Sequence, residues 1–338
     1  MKSRAQQRNV QQHFVTAAYL VGFTPEANRD SQLWVYERNS DKEFRLIPDE
    51  AAKRRNYYSI PQKDGGFNDI VDTMLTALEG QAMPALKKLL ANDYKLSTFE
   101  RALLGHLIAF QEFRTPWARA SFQKMELHLA EHMMRMATQA PGYLERTLDE
   151  LKKKGEIDGS LTAAQMREAV GNKKTKLVAR PHAGIKTMVT MSQTAGNFYT
   201  QMHWTVFHAT EGEFLTSDAP VVRRDPGFTG GLYGGGLASS TAQVWFPLSK
   251  KACLLITHDN ERMRKFFELM ENGKAQEAEA IRAELPPISG RDIAAQDVQA
   301  VNEQTILNGD RFVFSPFQSQ GISGLFKGEC QNYRIVVG

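Results

Sequence analysis

The sequence contains few of the residues that mark several large protein classes. Its 338 residues include only 2 cysteines, Cys253 and Cys330, and neither has a second cysteine nearby. This argues against a disulfide framework and against a CxxC metal or redox motif. No apolar run approaches the ~20 residues that cross a bilayer, and no signal peptide is recognisable. We therefore expect a cytoplasmic protein without a membrane partner.

No charge of one sign dominates the chain, which has 42 basic and 38 acidic residues and a formal net charge of +4. The one concentrated positive segment, Lys152 to Arg180, holds 8 basic against 3 acidic residues. Such a segment is either a solvated face or linker, or a contact for nucleic-acid phosphates or for an acidic partner.

A nucleotide-binding glycine motif is also missing. The stretch from Pro226 to Gly236 reads PGFTGGLYGGG, but neither a Lys-Ser or Lys-Thr pair nor a helix start follows it, so it is neither a P-loop nor a dinucleotide fingerprint. Its glycines predict a flexible loop that covers a site.

The residues that are present favour an α+β fold that is mainly helical. Apolar residues lie on one face at helical spacing from Phe67 to Leu90, and Ser97 with Glu100 predicts a capping box for the next helix. The spacing also predicts helices that begin at His13 and span 289 to 309. We predict an N-terminal β-hairpin, at 33 to 36 and 44 to 47, and a central antiparallel sheet built from His203 to Thr257 and the strand near Phe312.

Short motifs along the chain resemble the bacterial domain of unknown function 4238 family. In order, they are HFVTAAYLVGF, LWVYER, AAKRRNYYS, LEG, the Gln-x-x-Arg-Thr-Pro run, SDAP and FPLS. The chain departs from the family pattern at Thr16, where a proline is usual, and at Ala219, where an asparagine often occurs. The likeness covers about residues 10 to 315. It indicates one domain over 1–315, with a helix-rich part at 67–202 and a sheet-containing part at 203–257, and a C-terminal tail at 316–338.

Two polar residues, Gln111 and Arg114, lie within the apolar stripe of the second long helix. Burying such side chains without partners costs on the order of several kcal/mol, so they need partners, and Glu79 and Asp218 are the candidates. The resulting pair either locks the helices to the sheet or belongs to a functional site.

Eight polar residues form the predicted site: His13, Glu79, Gln111, Arg114, Ser217, Asp218, Ser249 and Asn302. The set contains a general base, two carboxylates that suit a divalent cation (Glu79 and Asp218), and an arginine that suits phosphate. We therefore predict a metal-assisted phosphoester hydrolase of the nuclease type, acting as a defence or toxin-like effector. The alternatives are a non-enzymatic module that binds nucleic acid or protein through 152–180, and a purely structural polar network.

Two further spacings match known catalytic patterns. His128, Glu131 and His132 spell H-x-x-E-H, which places two zinc ligands and a base on one helical face, with Glu211 or Glu213 as the third ligand. Arg101 and His106 have the R-x4-H spacing of a class of helical ribonucleases. Both patterns also suit ordinary amphipathic helices.

Overall fold

A computed structural model describes residues 10–62, 64–171, 178, 182–228 and 236–328. No helix within these ranges is both long and apolar enough to cross a membrane. The described residues contain helices together with antiparallel and mixed sheets, which confirms the α+β class.

The strands of the described residues are short and lie mostly in the first quarter of the chain and in its second half. They are β1 (Gln11–His13), β2 (Leu33–Glu37), β3 (Glu43–Leu46), β4 (Lys53–Arg55), β5 (Ile60–Pro61), β6 (Phe67–Asn68), β7 (His203–Ala209), β8 (Thr216–Ser217), β9 (Val222–Arg224), β10 (Gln243–Ser249), β11 (Ala252–Thr257), β12 (Ile288–Ile293) and β13 (Phe312–Ser315).

Helices fill most of the region between β6 and β7 and alternate with strands elsewhere. They are α1 (Ala17–Leu20), α2 (Ile70–Leu90), α3 (Thr98–Phe113), α4 (Pro116–Gln139), α5 (Tyr143–Lys153), α6 (Ala163–Gly171), α7 (Ile185–Gln201), α8 (Asn260–Glu271), α9 (Ala275–Ala283), α10 (Ala295–Asn308) and α11 (Gln320–Leu325).

The predicted N-terminal hairpin, β2 with β3, is confirmed, but it belongs to a larger sheet. That sheet has the order β3-β2-β13-β8, with Phe314 of β13 paired to Val35 on one side and to Thr216 on the other. The prediction that β13 joins the central sheet was wrong. The alternation of apolar and polar residues along a strand indicates which face of the strand is buried, but it does not indicate which strand pairs with it.

The central sheet has the order β12-β7-β11-β10-β9. Its central pairs are antiparallel, as expected, whereas β12 runs parallel to β7. The prediction of one helix over 289 to 309 was therefore wrong in its first part, where β12 forms. One face of the sheet points into the core. The β7 and β10 side chains on that face are buried, among them Trp204, Val206, Val244 and Phe246.

Helices α2, α3 and α7 form the layer that covers this core face. Ser97 caps α3 through the predicted capping box with Glu100. Helices α3 and α7 approach closely at Gly105, where an added Cβ would lie 2.7 Å from the Thr200 hydroxyl oxygen. Helix α3 ends at Phe113, and Thr115 caps the next helix, α4, which begins at Pro116.

Candidate functional site

Arg114 is the centre of a buried network between α2 and α3. Its guanidinium is fully buried and donates to Glu79 at 2.6 Å and to the Gln111 side-chain carbonyl at 2.6 Å. Gln111 in turn donates to the Phe14 carbonyl at 2.9 Å. Burial lowers the pKa of Arg114, but the charge and hydrogen bond of Glu79, together with Tyr58 and Tyr57, raise it by more, so the net shift is upward. The predicted pairing of Arg114 with a carboxylate is confirmed, with Glu79 as the partner.

The first strand brings His13 to the same network. His13 lies at the end of β1, not at the start of a helix as predicted, and its Nε2 lies 3.2 Å from the Asp49 carbonyl. Because a carbonyl only accepts, Nε2 carries the proton and Nδ1 keeps its lone pair. Burial lowers the pKa of His13, while the neighbouring Glu79 opposes that shift. The ring is therefore neutral near pH 7.

Asp218 lies in a second, separate set of contacts. Its carboxylate accepts hydrogen bonds from the backbone N–H groups of Asp310, Arg311 and Phe312, at 2.8, 2.8 and 3.1 Å. Burial and the neighbouring Asp310 raise the pKa of Asp218 to about 7, although the three N–H groups lower it. Asp218 thus fixes the segment before β13, and its carboxyl exchanges a proton near neutral pH.

The other three predicted site residues form hydrogen bonds with the backbone. The Ser217 and Ser249 hydroxyls accept from the N–H groups two residues further on, each at 3.2 Å. Asn302 of α10 joins the chain before β8, since it accepts from the Leu215 N–H at 2.8 Å and donates to the Glu213 carbonyl at 2.9 Å. The structure therefore brings His13, Glu79, Gln111 and Arg114 together and places the remaining four elsewhere.

Both predicted cation ligands already have hydrogen-bond partners. One Glu79 oxygen binds Arg114, and both Asp218 oxygens bind backbone N–H groups. Across the residues described, no group of three or more His, Cys, Asp and Glu side chains is placed to hold a metal ion. The divalent cation at these two residues stays a prediction.

A cleft of about 290 Å³ connects four of the family-like motifs. Phe14 comes from HFVTAAYLVGF, Val35 comes from LWVYER, Lys53 and Arg54 come from AAKRRNYYS, and Asp218 comes from SDAP. We call this concavity the motif cleft. Its other walls belong to β2, β3 and β13, so it lies where the β1–β4 pair meets the N-terminal sheet.

Aromatic and cationic side chains dominate the motif cleft. The Phe44 ring contacts Phe312 edge-on at 6.4 Å between centroids and is 37% exposed. The Arg54 guanidinium lies over the Phe14 ring, 5.7 Å from its centroid. Neither Arg54 nor Lys53 forms an ion pair with another described residue. The cleft therefore combines aromatic walls with two basic side chains, Lys53 and Arg54, that form no ion pair with a described residue, and the acidic residues Glu50 and Asp218 also line it.

Lys53 and Arg54 were not among the predicted site residues. The signal that pointed to them was present, because β4 places basic residues inside a family-like motif and next to His13. A basic triplet on an exposed strand is more often solvated surface, so sequence reasoning had no ground to prefer it. Only the pairing of β1 with β4 brings it beside Phe14.

The remaining sequence patterns do not form sites among the described residues. His128, Glu131 and His132 are exposed on α4, without a described third ligand. Arg101 is buried and donates to the carbonyls of Thr200, Pro286 and Met202. Part of the basic segment (172–177 and 179–181), most of the glycine-rich stretch (229–235) and the end of the tail (329–338) lie outside the described residues.

Fold and cleft together define an α+β protein that presents cationic and aromatic side chains in one concavity. A family model described as "Protein of unknown function (DUF4238)" matches residues 11–317. The chain belongs to that family, as its motifs indicated. No curated protein and no solved structure matches it.

Proposed function

We propose that the protein binds a phosphate-bearing ligand with a planar ring, of nucleotide type, in the motif cleft. The observation that carries the proposal is the position of Lys53 and Arg54, which have no described ion-pair partner and lie among aromatic rings, of which Phe44 is exposed and Phe14 is buried. Arginine binds phosphate through two parallel N–H groups. Aromatic walls stack on a planar ring.

The size and surroundings of the cleft suit such a ligand. Its volume of about 290 Å³ lies near the lower end of the ~300–1,000 Å³ that small-molecule sites occupy. A third basic residue at the rim, Arg311, is paired with Glu37 at 2.7 Å. Because that pairing neutralises Arg311, we expect Lys53 and Arg54 to make the main phosphate contacts.

Hydrolysis of the bound phosphoester is the second candidate function. The observation that favours it is the carboxyl of Asp218, which borders the cleft and has a pKa of about 7. A group that gains and loses a proton near the working pH suits general acid or base catalysis. Metal assistance is tested separately below, because both Asp218 oxygens are already hydrogen-bonded.

Binding is tested by calorimetry with ATP, AMP and inorganic phosphate on the full-length protein. Arg54→Gln should weaken nucleotide binding about 10- to 100-fold, the effect of losing one charge-assisted contact. The matched control is Arg55→Gln, because Arg55 is exposed on the same strand but does not line the cleft. Equal affinities for the two variants, or no binding by the wild type, would reject the proposal.

Hydrolysis is tested by phosphate release from the same nucleotides, with EDTA and with added Mg²⁺. If Asp218 is the proton-transfer group, Asp218→Asn should bind the nucleotide but release no phosphate. Loss of release in EDTA would support the metal prediction. Binding without release under any condition would leave the protein as a binding module.

A further inference from the structure

A second concavity lies on the outer face of the central sheet, where α10 packs against it. Its walls include Phe207, Trp245, Arg224 and Arg291 from the sheet, and Asp297 and Gln304 from α10, around about 190 Å³. A neighbouring hollow of about 240 Å³ continues it along β9 past Arg224 and Gln304. We call the two together the sheet-face groove. None of the eight predicted site residues lines it.

An aromatic platform forms the floor of the sheet-face groove. The rings of Phe207 and Trp245 stack with centroids 5.6 Å apart and planes 15° apart. The Trp245 indole N–H donates to the Gln243 side chain at 3.2 Å, which fixes the ring, and Trp245 is half-buried. Flat aromatic surfaces of this kind on a sheet stack unpaired nucleobases, and they do so without sequence preference.

Two arginines lie at opposite edges of that platform. Arg291 belongs to β12 and Arg224 to β9, the outer strands of the five-stranded sheet. Four strand spacings of ~4.8 Å separate the backbones of those strands by roughly 19 Å. Both side chains line the same concavity, so successive phosphates of one strand can contact the two guanidinium groups from opposite edges of the platform.

The charges in the groove favour an anionic ligand. Both arginines are exposed, and Arg291 also lies 4.8 Å from the Phe207 ring centroid. Within the described ranges, neither forms an ion pair. The nearest acidic residues have other roles, since Asp225 accepts a hydrogen bond from Thr241 and Asp297 lies in the first turn of α10, where a negative charge complements the helix dipole.

From the stacked rings and the separated arginines, we propose that the sheet-face groove binds single-stranded nucleic acid. Bases stack on Trp245, and successive phosphates contact Arg224 and Arg291. The net charge of +4 and the pI of about 8.9 assist association with a polyanion. The proposal is independent of the motif cleft, because no lining residue is shared between the two concavities.

The test is fluorescence anisotropy with labelled 12-nucleotide single-stranded RNA, the same sequence as DNA, a DNA duplex and an acidic peptide, over a range of salt concentrations. Trp245→Ala should lower affinity for single strands by about tenfold or more, the contribution of one stacked base. The double change Arg224→Gln with Arg291→Gln should make the plot of log affinity against log salt less steep by about 1.4, at ~0.7 for each lost phosphate contact.

The matched control is Arg146→Gln, because Arg146 is exposed on α5, a helix that packs on α4 and α6. It should leave both affinity and salt slope unchanged. Since both groove arginines are exposed, their double variant remains informative even if Trp245→Ala misfolds.

The results decide the proposal in either direction. Preference for single strands over duplex, with loss in both groove variants, supports it, and the RNA and DNA arms identify the natural strand. Equal binding of the acidic peptide, unchanged binding in both groove variants, or no binding of any strand at low salt would overturn it.

Discussion

Arg114 and Asp218 are both buried charges, with exposed fractions of 0% and 1%, but the protein stabilises them by different means. Arg114 is held by side chains from α2 and α3, and through Gln111 it reaches the backbone beyond β1. Asp218 is held by three consecutive backbone N–H groups that lead into β13, the last of them from its first residue, Phe312. The first arrangement joins three elements of the fold, whereas the second anchors one segment.

This difference determines which groups lose their partners when a residue is substituted. Removing a side-chain partner of Arg114 leaves a charge in the core that water reaches poorly, and such unpaired charges are strongly destabilising. Removing the Asp218 carboxylate leaves three amides that rehydrate if the short segment detaches. We therefore expect the Arg114 network to contribute more to the free energy of unfolding.

The largest expected effect is that of Glu79→Ala. This change removes the carboxylate partner of Arg114 and should lower the free energy of unfolding by about 3–5 kcal/mol, measured by urea denaturation. Glu268→Ala is the control, because Glu268 pairs with Arg264 on an exposed helix face and should cost less than ~1 kcal/mol. Equal losses in the two variants would contradict a network that depends on buried charge.

Asp218→Ala should have the next largest effect, a loss of about 2–4 kcal/mol, because three amides lose their acceptor. Hydrogen exchange should show faster exchange at the Asp310, Arg311 and Phe312 amides, with little change in α2 and α3. Asp297→Ala, at an exposed position of α10, serves as the control. If protection is lost over the whole protein instead, the description of Asp218 as a local anchor is wrong.

The smallest expected effect is the change in stability over a single pH unit that Asp218 causes. Its folded-state pKa of about 7 lies above the ordinary value of 3.8, so the folded state binds the proton more tightly. Stability should therefore fall as the pH rises from about 4 to 7, with a slope of at most ~1.4 kcal/mol for each pH unit. Urea denaturation of the wild type and Asp218→Asn at pH 4, 5, 6 and 7 isolates this slope, because the amide does not titrate. Parallel curves for the two proteins would contradict a raised pKa. They would show that the hydrogen bonds from the backbone N–H groups, which lower the pKa of Asp218, outweigh burial, which raises it.

Sequence patterns predicted those parts of the site that depend on neighbours along one helix. Gln111 and Arg114 share the buried stripe of α3 because they are three residues apart, and the cost of burying them unpaired required a carboxylate partner. Glu79 met that requirement. The α+β class and the N-terminal hairpin followed in the same way from periodicity and turn residues.

The tertiary structure alone decided which distant segments meet. Both residues of β8 and three of the four residues of β13 are buried, and this burial does not indicate which strand they pair with, so the same residues suited either sheet. The position of Lys53 and Arg54 beside Phe14 depends on the pairing of β1 with β4, and the Phe207–Trp245 platform depends on the order of β7, β11 and β10. Local propensity and spacing act over a few residues, whereas strand order is set by how the whole core packs. Therefore the sequence by itself determined the elements and the buried Arg114 pair, and only the packing of the sheets created the two concavities.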